Sequence, residues 1–156
     1  QNPSQSNRLK QIRRRVIRLS SSPALPQMEA WSMAKKILLV EDEKILAEMY
    51  QSKLTQAGFK VFLVSEAKEG LALVKKEKPD LILLDILLPM ENGIGFLTKL
   101  RKDPVIASTP VVAFSNYDDP KTKKQALDLG AKEYLIKTNY TPSEIIAKIK
   151  QLLNEG

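Results

Sequence analysis

Five short runs of consecutive apolar residues alternate with longer segments of helical periodicity along the chain. Within each run apolar residues follow one another without polar alternation, which is typical of a strand buried on both faces of a parallel sheet. The runs lie at residues 37–40, 61–64, 81–84, 111–114 and 134–136. Strict alternation of strands and helices predicts an α/β fold in which right-handed crossovers place helices on both faces of one parallel sheet.

Apolar residues recur every three or four positions between the runs, which indicates amphipathic helices. In the first of these segments, five apolar residues are predicted to lie on the inward face: Ile45, Leu46, Met49, Leu54 and Ala57. Gly58 is a plausible C-terminal cap for this helix. Pro79 is expected to end the second helix, and Pro142 lies in the predicted first turn of the last one, where proline is tolerated.

The net charge of +7 is distributed unevenly along the chain. Residues 1–32 carry six basic side chains against the single acid Glu29, whereas residues 33–156 carry 19 basic and 17 acidic ones. We therefore expect residues 1–32 to be a disordered, basic N-terminal extension with a linker at 20–26, and residues 33–156 to be the folded domain. The nearly neutral domain gives no basis for direct binding to nucleic acid.

The sequence contains no cysteine and no histidine. Disulfides, thiolate or imidazole metal ligands and a Ser-His-Asp triad are therefore excluded. No apolar run approaches the roughly 18 residues needed to cross a bilayer. We expect a cytoplasmic protein with no membrane span, whose chemistry depends on carboxylates, lysine and hydroxyl groups.

Polar side chains follow four of the five predicted strands. Glu41 and Asp42 follow the first run, Asp85 the third, Ser115 the fourth and Lys137 the fifth. An isolated aspartate at a strand end often only caps a turn. However, the carboxyl ends of parallel strands meet at one edge of the sheet, where ligands bind in open α/β folds. We therefore expect these five side chains to converge.

Three carboxylates at one site repel one another unless a cation holds them together. Oxygen ligands without histidine or cysteine favour Mg²⁺, with Mn²⁺ as an alternative. The ammonium group of Lys137 and the hydroxyl group of Ser115 can contact phosphoryl oxygens. This set of groups leaves Asp85 as a nucleophile that forms an aspartyl phosphate.

Four motifs together resemble the receiver domain of bacterial two-component response regulators, of the stand-alone type similar to the chemotaxis response regulator. They are Leu-Val-Glu-Asp-Glu at 39–43, Asp85-x-x-x-Pro89-x-x-x-Gly93, Phe114-Ser115 and Tyr134-Leu-Ile-Lys137. The resemblance extends from about Lys35 to Leu153. It implies a flavodoxin-like (βα)5 doubly wound parallel sheet with strand order 2-1-3-4-5.

The resemblance also implies a site and its partners. Asp85 would be phosphorylated by a histidine kinase or a phosphotransfer protein. Glu41 and Asp42 would hold Mg²⁺, with Asp42, Asp85 and the backbone carbonyl of Leu87 as direct ligands. The protein would then be a signalling domain that promotes only its own phosphorylation and dephosphorylation, not an enzyme acting on a separate substrate.

The switching residues are implied in the same way. Lys137 would pair with the phosphoryl group, Ser115 would move toward it, and Tyr134 would follow inward as the switch aromatic. Because no output domain follows the last helix of this sequence, we expect the signal to leave through a protein-binding surface. That surface would be formed by the fourth helix, the fifth strand and the fifth helix, and its partner is not identified by the sequence.

Two features depart from the family pattern. Thr138 follows Lys137 where the family has a proline after a cis bond, and a cis bond before a non-proline residue costs about 2.5–4 kcal/mol. This cost argues against a cis bond here, but the sequence leaves the state of the bond between Lys137 and Thr138 open. Leu87 and Tyr117 lie two residues after Asp85 and Ser115, at positions that flank the attacking water in the family, and their apolar or bulky side chains predict slow autodephosphorylation.

Other readings remain open at this point. A haloacid-dehalogenase type of enzyme needs a second aspartate two residues after the first, where this chain has Leu87. A flavodoxin needs a phosphate-binding loop after the first strand, where this chain has three acids at 41–43. A degenerate receiver that acts as a phosphorylation-independent scaffold is the main alternative, although the intact acids, Ser115 and Lys137 argue against it.

Overall fold

The computed structural model describes residues 33–154. The predicted disordered extension at residues 1–32 lies outside these described residues. From Lys35 onward the chain forms one compact unit. Within the part that is described, no helix is both long enough and apolar enough to cross a membrane.

The five apolar runs form the five strands of one parallel sheet. These are β1 (Lys36–Val40), β2 (Lys60–Val64), β3 (Leu81–Asp85), β4 (Val111–Ser115) and β5 (Glu133–Ile136). Neighbouring strands are hydrogen-bonded in the order β2-β1-β3-β4-β5, and every pair is parallel. The predicted fold class and strand order are confirmed.

Five helices follow the strands in strict alternation. They are α1 (Lys44–Gln56), α2 (Ala67–Glu77), α3 (Gly93–Lys102), α4 (Pro120–Asp128) and α5 (Pro142–Asn154), and a short 3₁₀ helix (Lys137–Asn139) lies between β5 and α5. Helices α2, α3 and α4 pack with one face of the sheet, and helices α1 and α5 pack with the other. The sheet is therefore covered on both sides, which explains why its strands lack polar alternation.

The inward face of α1 differs in part from the prediction. Ile45 is 81% exposed, whereas the buried residues of this helix are Ala47, Tyr50 and Leu54. Leu46, in the same turn, packs against the core. At 3.6 residues per turn, Ile45 falls on the side of α1 opposite to Ala47, Tyr50 and Leu54. The prediction that Ile45 packs inward is wrong, and its place on the outer side of the helix is the physical reason.

Arg101 joins three parts of the fold on the side of α3 and α4. Its Nε donates a hydrogen bond to the carbonyl of Leu129 at 2.7 Å, and its Nη1 donates to the carbonyls of Ala107 and Thr109, both at 2.7 Å. Its Nη2 donates to the carbonyl of Gly130 at 3.3 Å. One guanidinium therefore connects α3 to the end of α4 and to the loop before β4.

These contacts matter because α4 is anchored weakly by apolar burial. Of its nine residues only Ala126 is fully buried. Its first turn is fixed by Asp119, whose carboxylate accepts hydrogen bonds from the backbone N–H and the hydroxyl of Thr122. Arg101 supplies the corresponding polar attachment at the other end of the helix.

Replacing Arg101 by alanine is expected to lower the free energy of unfolding by about 2 kcal/mol, because four carbonyl acceptors lose a charged donor. Lys102→Ala is the matched control, since Lys102 is the exposed neighbour on the same helix, and its effect is expected to stay within about 0.5 kcal/mol. Urea unfolding of the two variants measures both quantities. Equal stabilities would contradict the anchoring role of Arg101.

Candidate functional site

The carboxyl edge of the sheet brings the predicted acidic residues together. Glu41 follows β1 directly, Asp85 is the last residue of β3, and the two strands are neighbours in the sheet. One carboxylate oxygen from each of Glu41, Asp42 and Asp85 lies within 4.8 Å of the others. Glu41 and Asp85 are 2% and 4% exposed, whereas Asp42 is exposed.

The ammonium group of Lys137 lies between the two buried carboxylates. Its Nζ is 2.7 Å from Oε2 of Glu41 and 3.1 Å from Oδ2 of Asp85. It also lies 4.6 Å from the ring centroid of Phe114, within the range of a cation–π contact. Sequence reasoning assigned the acids to a metal ion and Lys137 to a phosphoryl group, whereas in this structure Lys137 itself contacts two of the acids.

The loop after β3 fixes the second oxygen of Asp85. The N–H of Leu87 donates to Oδ1 of Asp85 at 3.0 Å, and the N–H of Gly93 donates to the carbonyl of Ile86 at 2.7 Å. A Cβ atom at position 93 would lie only 2.7 Å from the carbonyl oxygen of Asp85. The spacing from Asp85 to Gly93 therefore has a steric basis, because only glycine lets the loop return this close to β3.

The electrostatics of the site are dominated by the burial of Glu41. The net pKa of Glu41 is raised to about 7. Burial is the largest cause and the negative charge of Asp85 adds to it, whereas the hydrogen bond from Lys137 lowers the pKa in part. The second oxygen of Glu41, Oε1, accepts a hydrogen bond from the N–H of Glu43 at 3.2 Å. In this arrangement Glu41 holds its proton more strongly than an ordinary glutamate does.

Ser115 and Tyr134 contact the backbone of the same residue, Tyr117, in the loop after β4. Oγ of Ser115, which is fully buried, accepts a hydrogen bond from the N–H of Tyr117 at 3.1 Å. The hydroxyl group of Tyr134 donates to the carbonyl of Tyr117 at 2.6 Å. Tyr134 is buried, and this burial raises the pKa of its hydroxyl group. The ring of Tyr134 therefore lies inward in this structure.

Sequence reasoning missed two parts of this arrangement. It considered only the side chain of Tyr117, whereas the structure shows that its backbone connects Ser115 to Tyr134. It also assigned no role to Phe114 beyond its strand, although its ring lies beneath Lys137. Both contacts join residues near β4 to residues in or after β5, and they form only because these two strands are neighbours in the sheet. Such contacts leave no local signal in the sequence.

The backbone between β5 and α5 answers the question that the sequence left open at Lys137. Throughout the described residues every peptide bond is trans, including the bond between Lys137 and Thr138. The chain continues from Lys137 directly into the 3₁₀ helix. Lys137 therefore reaches the acids without a proline after it.

The donor set fits a small divalent cation. Three carboxylates face a single ammonium group, so the cluster keeps an excess of negative charge when all of its groups are ionised. Carboxylate oxygens without nitrogen or sulfur donors are the ligands that Mg²⁺ prefers. Glu41, Asp42 and Asp85 are the side chains that could hold such an ion.

The raised pKa of Glu41 predicts a pH dependence of stability in the absence of metal. Between about pH 4.5, where an ordinary glutamate ionises, and about pH 7, the folded protein binds a proton that the unfolded chain releases. The stability due to this proton is complete below the unfolded pKa and is lost as the pH rises through the folded one. We expect the free energy of unfolding of the wild type to fall across this range relative to that of Glu41→Gln.

Urea unfolding in the presence of a chelator, repeated across this pH range for both proteins, measures the difference. If the two stability curves run parallel from pH 4.5 to 8, the buried acid at position 41 has no raised pKa and the prediction is wrong. Comparison with Glu41→Gln removes the contributions of all other titrating groups.

Known proteins share this fold and these motifs. The family model of the response regulator receiver domain matches residues 37–150. The alkaline phosphatase synthesis transcriptional regulatory protein PhoP of Bacillus subtilis is 36% identical over 124 residues, which are 80% of this chain and 50% of that protein. The phosphate regulon transcriptional regulatory protein PhoB of Pseudomonas aeruginosa is 32% identical over 78% of this chain and 52% of its own length. The chain thus spans about half the length of these curated relatives.

Solved structures give the same result. A CheY-like response regulator receiver domain protein from Methanospirillum hungatei is 30% identical, with a TM-score of 0.73 over 78% of this chain and 95% of that one. The receiver domain of the Francisella response regulator 1452 is 29% identical, with a TM-score of 0.70 over 78% of this chain and 98% of that one. The order of the strands, the acidic site at their carboxyl edge and these matches together place the chain in the response regulator receiver domain family.

Proposed function

We propose that this domain accepts a phosphoryl group on Asp85 from a histidine kinase or a phosphotransfer protein in two-component signalling. The observation that carries the proposal is the buried carboxylate of Asp85, which contacts the ammonium of Lys137 beside Glu41 and Asp42. Membership of the receiver domain family supports the class of the reaction. The proposal makes the chain a signalling domain and not an enzyme with a separate substrate.

Each group of the site has a role in the proposed phosphoryl transfer. An oxygen of Asp85 forms a bond to phosphorus as the bond between phosphorus and the imidazole nitrogen of the donor breaks, and the released imidazole takes up a proton from solvent. Lys137, which now contacts Oδ2 of Asp85, turns to the phosphoryl oxygens and stabilises their charge. Mg²⁺ bound by Glu41, Asp42, Asp85 and the carbonyl of Leu87 would supply further neutralisation of phosphoryl charge.

The contacts at Tyr117 support a route for switching. Ser115 and Tyr134 both bond to the backbone of Tyr117, and α4 begins three residues further along the chain. If the hydroxyl group of Ser115 turns to a phosphoryl oxygen, it gives up the N–H of Tyr117, and the loop that leads to α4 is released from β4. Tyr134 would then adjust its position, and the face formed by α4, β5 and α5 would change for a downstream protein partner.

Four further expectations stand as proposals: the stand-alone form, the domain boundary near residue 33, the lack of direct nucleic-acid binding and a cytoplasmic location. The two curated relatives named above are about twice as long as the matched region and are described as transcriptional regulators, so the output of this chain is not fixed by them.

Incubation with Mg²⁺ and acetyl phosphate is expected to add one phosphoryl group to the wild type and none to Asp85→Asn. The matched control is Asp128→Asn, which removes an exposed carboxylate that pairs with Lys124 and should leave the modification intact. Intact-mass spectrometry with and without a chelator measures the result. A folded wild type that binds Mg²⁺ but gains no mass would favour the scaffold alternative.

Leu87→Asn is expected to speed the loss of the phosphoryl group several-fold, because an amide at this position can orient the attacking water. Leu87 is 50% exposed, and its N–H already bonds to Asp85. Met90→Asn is the matched control: Met90 lies in the same loop, is 97% exposed and has a positive φ that asparagine tolerates. Following phosphate release after removal of the donor tests the prediction, and equal rates in wild type and Leu87→Asn would contradict it.

A further inference from the structure

A cavity of about 610 Å³ lies at the amino edge of the sheet. Its lining includes Pro79 and Leu81 at the start of β3, Pro110 before β4, Lys132 before β5 and Leu153 near the end of α5. Because all the strands are parallel, this edge is opposite to the one that carries Asp85. The cavity shares no residue with the acidic site.

The lining of the cavity combines polar and apolar surface in about equal parts. Leu81 and Ile106 are buried and expose almost no surface, whereas Leu152 and Leu153 are half-buried, and Val105 is exposed at the rim. An exposed valine beside half-buried leucines leaves apolar surface in contact with water. A ligand with an apolar body would remove that surface from water.

The cavity is formed in advance by backbone contacts. Arg101 holds the carbonyls of Ala107 and Thr109 in the loop that forms one wall. The carboxylate of Asp80 accepts a hydrogen bond from the N–H of Lys36 at 2.8 Å, which fixes the turn before β3. Small-molecule sites are typically such pre-formed concave spaces of about 300–1,000 Å³.

The charge at the cavity is positive. Lys35, Lys78 and Lys132 line it, and within residues 33–154 none of the three forms an ion pair. Asp80 is the one carboxylate in the lining, and it is already engaged by the backbone of Lys36. An anionic group placed here would meet three cations and one acid.

We propose that this cavity binds a small amphipathic anion, with its acidic headgroup at the lysines and its apolar body against Val105, Leu152 and Leu153. The apolar half of the lining favours such a ligand over a simple inorganic anion, and the lysines disfavour a cationic amphiphile. The site is independent of the proposed phosphorylation, since it lies at the opposite edge of the sheet.

Titration of the full ¹⁵N-labelled chain with decanoate, followed by amide chemical shifts, tests the proposal. We expect saturable shifts at residues 105–110 and 152–153, with the amides of Asp85 and Ser115 unaffected. Decan-1-ol and decyltrimethylammonium, which have the same tail without the negative charge, are expected to bind more weakly. Equal binding of all three probes, or no saturable shift with decanoate, would overturn the proposal.

Variants separate the charge from the shape of the site. Lys35→Glu with Lys132→Glu should weaken decanoate binding about tenfold, whereas Lys102→Glu with Lys123→Glu, which changes the net charge equally outside the cavity, should not. Ser108→Trp places a large ring in the cavity from an exposed position and should abolish binding. Wild-type affinity in both the Lys35/Lys132 and the Ser108 variants, with dispersed spectra that show folded protein, would place the anion elsewhere and overturn the proposal.

Discussion

The ammonium group of Lys137 between Glu41 and Asp85 is the interaction on which the rest of the site depends. Two carboxylates that are almost completely buried cannot both stay ionised at close range without a cation. Lys137 provides that charge from a position 96 residues away from Glu41 and 52 from Asp85. It contacts the carboxylate of Asp85 directly, while burial raises the pKa of Glu41 to about 7.

The sheet supplies the positions that this interaction needs. β1 and β3 are neighbours at the centre of the sheet, so Glu41 and Asp85 lie side by side, and β5 brings Lys137 to the same edge. The helices on both faces keep water away from the strands. Where apolar burial is weak, as in α4, polar anchors such as Arg101 take its place. Among the described helices, α4 has the fewest buried residues. This weak attachment to the core suits a helix that is proposed to respond at the output face.

Much of the fold and part of the site could be predicted from the sequence. The unbroken apolar runs predicted all five strands, and the rule that parallel strands end at one edge predicted the convergence of Glu41, Asp42 and Asp85. The prediction failed at Ile45 because this residue lies on the side of α1 opposite to Ala47, Tyr50 and Leu54, and an apolar side chain alone does not show which side a helix buries. The four carbonyl acceptors of Arg101 and the double contact at Tyr117 depend on tertiary neighbours, so no local pattern could have predicted them.

Lys137 contacts Asp85 at rest, and we propose that it turns to the phosphoryl group once Asp85 carries one. A crystal structure of the full chain with Mg²⁺ and beryllium trifluoride, a stable mimic of the phosphoryl group, tests this movement most directly. We predict the adduct on Asp85, with Nζ of Lys137 within hydrogen-bonding distance of a fluorine atom and no longer bound to Glu41. An adduct on Asp85 with Lys137 still 2.7 Å from Glu41 and out of reach of the fluorine atoms would contradict it.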